Sequence, residues 1–318
     1  MTPFAGTARC SPRLAVALAW GVWALAAGSI LAAEARPQRI ISMAPNITEL
    51  LFAVGAGDRV VGVTEFCGYP PEARKRAKVG GYLNPNLEII TALRPDLVVA
   101  YREHEVLNQH CKRIGVPVLS LTMLSLEDVF RNIALVAEAV GHPEAGRALA
   151  SSIQADLDAV RGQAAALRPP RTLLLLGPLA TDGTHPMAVG NGSFLADLLV
   201  LAGAANVFAD VARPYFYPST EEILARQPEV ILETVLEVEP IAAAGDRRDT
   251  DQDVHLTWTV SPAWAKLAGL PAVRDGRIVR LDGKQLHSPG PRVGAVARAL
   301  VRAVHGGERA AAAAGSRR

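Results

Sequence analysis

A segment that this chain carries twice limits its fold more than any other feature. Asn86 to Val99 reads NLEIITALRPDLVV, and Ser219 to Leu232 reads STEEILARQPEVIL. In each, a helix-capping residue (Asn86, Ser219) stands two places before a glutamate (Glu88, Glu221). An apolar helical stretch follows, and a proline (Pro95, Pro228) ends it ahead of an acidic residue and a β-rich run. The two glutamates lie 133 positions apart (221 minus 88). A second match, Glu49 to Ala56 against Asp197 to Ala204, runs at a spacing of 148 (197 minus 49), so the first copy holds 15 more residues (148 minus 133) between its matched pieces. Duplication on this scale predicts two similar lobes, with a ligand site between them and paired surfaces that face a common partner.

Around the repeats, strand and helix patterns alternate. Arg39 to Met43 reads as a short strand, and Pro45, Asn46 and Thr48 open a helix that closes at Gly55 and Gly57. Arg59 to Val63, Leu97 to Ala100 and Val116 to Leu121 are further strands, with a helix across Glu105 to Ile114. Such alternation predicts an α/β fold of two Rossmann-like lobes, each around a central parallel sheet covered on both faces. Leu126 to Val140 is an amphipathic helix. Glu144 to Leu167, rich in Ala and Leu and free of proline, predicts a rigid connecting helix about 36 Å long, ended by Pro169-Pro170. The resulting boundaries are 36–142 for the N-terminal lobe, 143–168 for the connecting backbone helix and 169–305 for the C-terminal lobe. The Ala-, Gly- and Arg-rich residues 306–318 are expected to be a disordered tail.

Residues 1–35 differ in kind. Arg9 and Arg13 lead into the apolar run Leu14 to Ala33, and Ala33-Glu34-Ala35 has the small-x-small pattern of a cleavage site, so the segment reads as a secretory signal peptide. The run is also long enough to span a bilayer, which makes an uncleaved anchor the alternative. Secretion would leave Cys67 and Cys111 in an oxidising compartment; whether they pair is not decided by sequence. The 33 basic and 31 acidic residues are interspersed and aromatic residues are few, which excludes a basic, aromatic nucleic-acid surface.

Catalytic patterns are missing. Ser193 in GNGSF is not a nucleophile elbow, and Gly55-x-Gly57 closes a helix instead of following a strand. His104 and His110 are six apart, off a single helical face, so no protein metal site and no catalysis are expected. Tyr82, Tyr101 and Tyr215 fall at strand ends or in Gly/Pro loops, where α/β folds form ligand crevices and where tyrosine rings can stack on a flat ligand. Phe216 and Tyr217 are equally placed by chemistry. Phe66 to Tyr82 also occupies the interval where the first copy is longer, which puts ligand choice in loops outside the repeat. Glu88 and Glu221 each fall in a first helical turn, where the dipole stabilises a carboxylate by about 0.3–1 kcal/mol. Glu222 fits a capping box with Ser219 better, which leaves Glu221 surplus to capping and able to meet a charged group on a two-fold partner.

The order APNITELLFAVGAGDRVVGV, a YPPEA loop, VGGYLNPNLEIITALRPDLVVA, a long helix, then GNGSFLADLLVLAGAANVF and PSTEEILARQPEVIL resembles the periplasmic cobalamin-binding proteins of ABC importers. The resemblance covers about Arg39 to His305. It implies two α/β lobes joined by one backbone helix, with a corrinoid in the cleft, and delivery to an inner-membrane permease dimer with ATPase subunits. The carrier is then periplasmic, has no cofactor of its own and is a monomer when free. By the same resemblance Phe66, Tyr82, Tyr101 and Tyr215 line the cleft, and Glu88 and Glu221 meet arginines on the two permease subunits. The chain departs from the family's best-known member by carrying Phe and Tyr where that protein has Tyr and three Trp, and Leu176 where it has Phe. The broader family includes ferric siderophore and haem carriers, which form the first alternative. A secreted zinc-binding receptor or metal-dependent enzyme is the second. Independently of that second alternative, His104 or His287 could coordinate or hydrogen-bond the metal that a bound ligand carries.

Overall fold

The structure is a computed structural model that describes residues 36–101, 104–180, 186–234, 254–258, 262–282 and 284–315; the expected signal peptide lies outside them. Its first lobe grows from β1 (Ile40–Ser42), a wholly buried strand. Then come α1 (Pro45–Ala53), β2 (Val60–Val63), β3 (Ala77–Lys78), α2 (Leu87–Ala92), β4 (Leu97–Tyr101), α3 (Glu105–Arg113) and β5 (Val118–Leu121). The strands form a five-stranded sheet in the order β3-β2-β1-β4-β5, parallel throughout. After α4 (Leu126–Ala139), the connecting helix α5 (Pro143–Ala164) runs 22 residues, about 33 Å at 1.5 Å per residue.

The second lobe is built from β6 (Arg171–Leu176), β7 (Met187–Val189), α6 (Phe194–Leu201), β8 (Ala205–Asn206), β9 (Tyr215–Phe216), α7 (Thr220–Arg226), β10 (Val230–Thr234), β11 (His255–Trp258), α8 (Pro262–Ala265), α9 (Pro271–Arg274), β12 (Ile278–Asp282) and α10 (Val293–Gly315). Its sheet runs β11-β12-β10-β6-β7-β9 with β8 beside β6. The centre, β8-β6-β10-β12, is parallel, as in the first lobe. Antiparallel β7, β9 and β11 extend its edges beyond the expected central parallel sheet. Strands of two to four residues are too short to carry a readable alternation.

Duplication reaches down to single backbone groups. At the ends of α1 and α6, Gly55 (φ 78°) and Gly203 (φ 71°) take left-handed conformations, and the following amides of Ala56 and Ala204 return to Leu51 and Leu199 at 2.8 and 2.9 Å. That close needs a residue tolerant of positive φ. At the ends of α2 and α7 the left-handed residues are Arg94 and Gln227, both at φ 45° and again 133 apart. The acidic residue after each proline has a structural duty. Asp96 accepts the amides of Gln38 and Arg39 at 2.7 and 2.8 Å, and Glu229 accepts that of Arg171 at 2.8 Å, so each fixes the start of its lobe's central strand.

Strand alternation sorts the core into three clusters. Ile41, Val98 and Ala100 face α2 and α3 on the outer side of the first sheet, and Leu173, Leu175 and Ile231 face the outer side of the second. The largest cluster is shared. It runs from Ile40 and Val99 through α1, α4, α5, α6 and α10 to Leu174 and Leu232. This sorting also decides the cysteines. Cys67 is buried in the shared cluster and Cys111 in the outer one, on opposite faces of the first sheet, and both are free thiols. At the C-terminus, α10 continues to Gly315, through ten residues assigned above to a disordered tail; the alanines at 310–314 have the highest helix propensity.

Candidate functional site

Parallel α/β sheets present crevices at the carboxyl ends of their strands, and the aromatic residues collect there. Tyr101 is the last residue of β4. Its ring lies 5.4 Å from that of Tyr82, edge to face at 71°, and Tyr82 meets the imidazole of His104 at 5.0 Å and 82°. Phe66 follows β2, with its ring edge 3.4 Å from where a Cβ on Gly81 would stand, beside Tyr82. Phe66, Tyr82 and Tyr101 therefore form one wall in the first lobe. Tyr215, in β9, stands in the second lobe at 37% exposure, and Tyr217 beside it is 72% exposed.

The Tyr101 and Tyr215 phenols are each tied to the start of a lobe's first helix. The Tyr101 hydroxyl donates to Asn46 Oδ1 at 2.6 Å, and Asn46 Nδ2 donates to the Pro289 carbonyl, 243 positions away in the second lobe, at 2.6 Å. Burial pushes the Tyr101 hydroxyl well above the usual tyrosine value, against the opposing effect of Asn46. Burial raises Tyr215 as well, partly offset by a hydrogen bond with Ser193, the N-cap of α6. These phenols thus stay protonated at neutral pH and can donate or accept.

His104 is committed elsewhere. It caps α3 and is 8% exposed, with Nδ1 accepting the Leu107 amide at 3.4 Å and Nε2 against the Tyr82 carbonyl. That pairing makes Nε2–H the donor and supports the Tyr82 loop. His110 instead meets the Thr91 hydroxyl at 2.9 Å, so the two histidines do not converge. Among the described residues, no group of three or more His, Cys, Asp or Glu could hold a metal. Asp246 to His255, a stretch that also combines acidic residues with a histidine, lies mostly outside them.

Glu88 and Glu221 are each the second residue of their helices, α2 and α7, and both are exposed. Capping belongs to their neighbours. Asn86 Oδ1 accepts the Ile89 amide at 3.0 Å; Ser219 Oγ accepts the Glu222 amide at 3.2 Å while Glu222 returns a carboxylate to the Ser219 amide at 2.8 Å.

One further sign of the site lies in the sequence, and one role left none. Tyr82 and Tyr215 are themselves 133 apart, each four residues before its capping residue, so part of the aromatic wall belongs to the repeat and not to the inserted loop alone. Asn46 had no local sign of its role, because both its partners are remote in sequence.

Residues 40–285 match the family described as periplasmic binding protein. A vitamin B12-binding protein of Vibrio parahaemolyticus is 30% identical over 272 residues, covering 83% of this chain and 88% of its own. The solved periplasmic vitamin B12 binding protein BtuF of Vibrio cholerae superposes with a TM-score of 0.66 at 27% identity, over 86% of this chain and 98% of its own. The periplasmic heme-binding protein BhuT, solved in complex with two hemes, gives 0.68 at 28% identity over 85% and 98%.

Proposed function

The chain belongs to the periplasmic binding protein family, and we propose that it captures a corrinoid between its two lobes and delivers it to an inner-membrane ABC permease dimer with its ATPase subunits. Secretion through a cleaved N-terminal signal brings it to the periplasm. No bond is made or broken in this role. The observation that carries the reading is the Phe66, Tyr82 and Tyr101 wall at the strand ends of one lobe, with Tyr215 at the repeat-related place in the other. Rings on both sides can enclose a flat macrocycle, and protonated phenols can meet its amide side chains. Phe and Tyr in place of indoles give a roomier wall, suited to a corrinoid of different outline.

A haem carrier of the same fold is the nearest alternative, and the demand each ligand makes on the protein differs. Ferric haem asks the protein for an axial nitrogen or phenolate. His104 could supply one only by giving up its bonds to the Leu107 amide and the Tyr82 carbonyl. A corrinoid can arrive with its cobalt already ligated, so it makes no such demand. Glu88 and Glu221, exposed and matched between lobes, are the proposed contacts to permease arginines.

Calorimetry of the mature chain with cobalamin, its biosynthetic precursor, haem and a ferric siderophore tests the ligand. We expect a corrinoid to bind with micromolar or tighter affinity, and its failure to bind at that level overturns the reading. In the same preparation, Glu88→Lys with Glu221→Lys is expected to stop delivery to membranes containing the permease while corrinoid affinity is retained. Lost affinity would place the two carboxylates in the pocket.

A further inference from the structure

Glu49 and Asp197 open the second pair of repeated segments, and each reaches out of its own lobe. Glu49 lies in α1 and is 5% exposed. Its Oε2 accepts from Arg292 Nε at 2.9 Å, and its Oε1 meets Nη2 of the same guanidinium, which also stacks 4.4 Å over the Tyr69 ring. Arg292 is 11% exposed and directly precedes Val293, the first residue of α10 in the second lobe. Asp197, in α6 of the second lobe, accepts through Oδ2 the amide of Leu126 at 2.9 Å. Leu126 is the first residue of α4, the helix that follows the last strand of the first sheet, as α10 follows the last central strand of the second.

The arrangement is therefore reciprocal. In each lobe, the carboxylate at one repeat-related position of the first helix holds the start of the final helix belonging to the other. Both contacts suit a carboxylate. A helix start offers unpaired amides and a positive dipole end, which Asp197 uses, and a bidentate guanidinium fixes direction as well as distance, which Glu49 uses. Three residues before Glu49, Asn46 ties the Tyr101 hydroxyl to Pro289, and Gly290 approaches so closely that a Cβ there would stand 3.0 Å from that of Asn46. The clamp and the aromatic wall thus share one turn of α1.

We infer that Glu49 and Asp197 are a duplicated pair of cross-lobe positioning residues that set the width of the cleft before any ligand arrives. This inference goes beyond ligand identity, because the clamp acts in the free protein. Cutting it leaves the aromatic residues in place and loosens the distance between them. Glu49 is the stronger half, through a buried pair of charges; Asp197 is the weaker, through one charge-assisted hydrogen bond.

Spin labels at Arg113→Cys and Arg274→Cys, exposed sites in α3 and α9, report the interlobe distance of the ligand-free protein. The parent is expected to give one narrow distribution. With Glu49→Gln and Asp197→Asn together it should shift or widen by more than about 2 Å, and with Asp197→Asn alone by less. Asp197→Glu, which keeps a carboxylate, should stay close to the parent. If a corrinoid binds as proposed, its dissociation from the double variant should be about tenfold faster, with association little changed. An unchanged distribution in a double variant that melts cooperatively overturns the inference. Should that variant fail to fold, Asp197→Asn carries the test alone, and an unchanged distribution there is equally fatal. Absence of corrinoid binding would count against the ligand and leave the distance measurement standing.

Discussion

Ser219 and Glu222 hold the first turn of α7 between them, each bonding the other's backbone amide, and Glu221 is not part of that pair. The division of labour can be measured. Ser219→Ala removes the side-chain acceptor of an N-terminal amide and should lower stability by about 1 kcal/mol. Glu221→Ala should lose only its interaction with the helix dipole, about 0.3 kcal/mol at an exposed site, and an equal loss in both variants by urea unfolding would show Glu221 to be a capping residue after all. The capping role was readable because its partners are three residues apart. Asn46 and Glu49 show the opposite case. Their partners in the second lobe are 243 positions away, so local sequence marks them only as a polar opening and an acidic residue near the start of a helix.

Among whole elements, α2 and α7 end in the same unusual way, with Arg94 and Gln227 in the left-handed region. A side chain there crowds its own carbonyl, at a cost of about 1–2 kcal/mol that glycine escapes. Glycine also loses more chain entropy on folding, about 0.5–1 kcal/mol, which offsets part of the gain. Arg94→Gly should therefore stabilise the protein by about 0.5–1 kcal/mol in thermal denaturation. Gln227→Gly should gain less, because Gln227 Nε2 also donates to the Leu224 carbonyl at 2.8 Å. No gain at Arg94 would mean that the surrounding turn relieves the strain. Elements of this length were legible from their caps and prolines, and α2, α3 and α4 fall within a residue or two of expectation. The antiparallel edges β7, β9 and β11 were not, since such short strands are defined by the neighbours they pair with and hardly by their own side chains.

For the molecule as a whole, the decisive feature is that its two sheets do not have separate inner cores. One apolar cluster passes from the first sheet through α1, α4, α5, α6 and α10 into the second, with the 22-residue α5 lying alongside. A wide opening would have to pull this cluster apart. Exposing even 200 Å² of it would cost about 5 kcal/mol at 25 cal/mol per Å², comparable to much of the free energy that a micromolar ligand releases. Ligand capture is therefore confined to a slight rocking of the lobes and to rearrangement of the aromatic loops. Solution scattering on the free and corrinoid-loaded protein should give radii of gyration within about 1 Å of each other. A compaction of several ångström would mean that the shared cluster separates in the free protein. In that case, the reciprocal carboxylates and the single connecting helix would be hinge elements and the cleft would be assembled by its ligand.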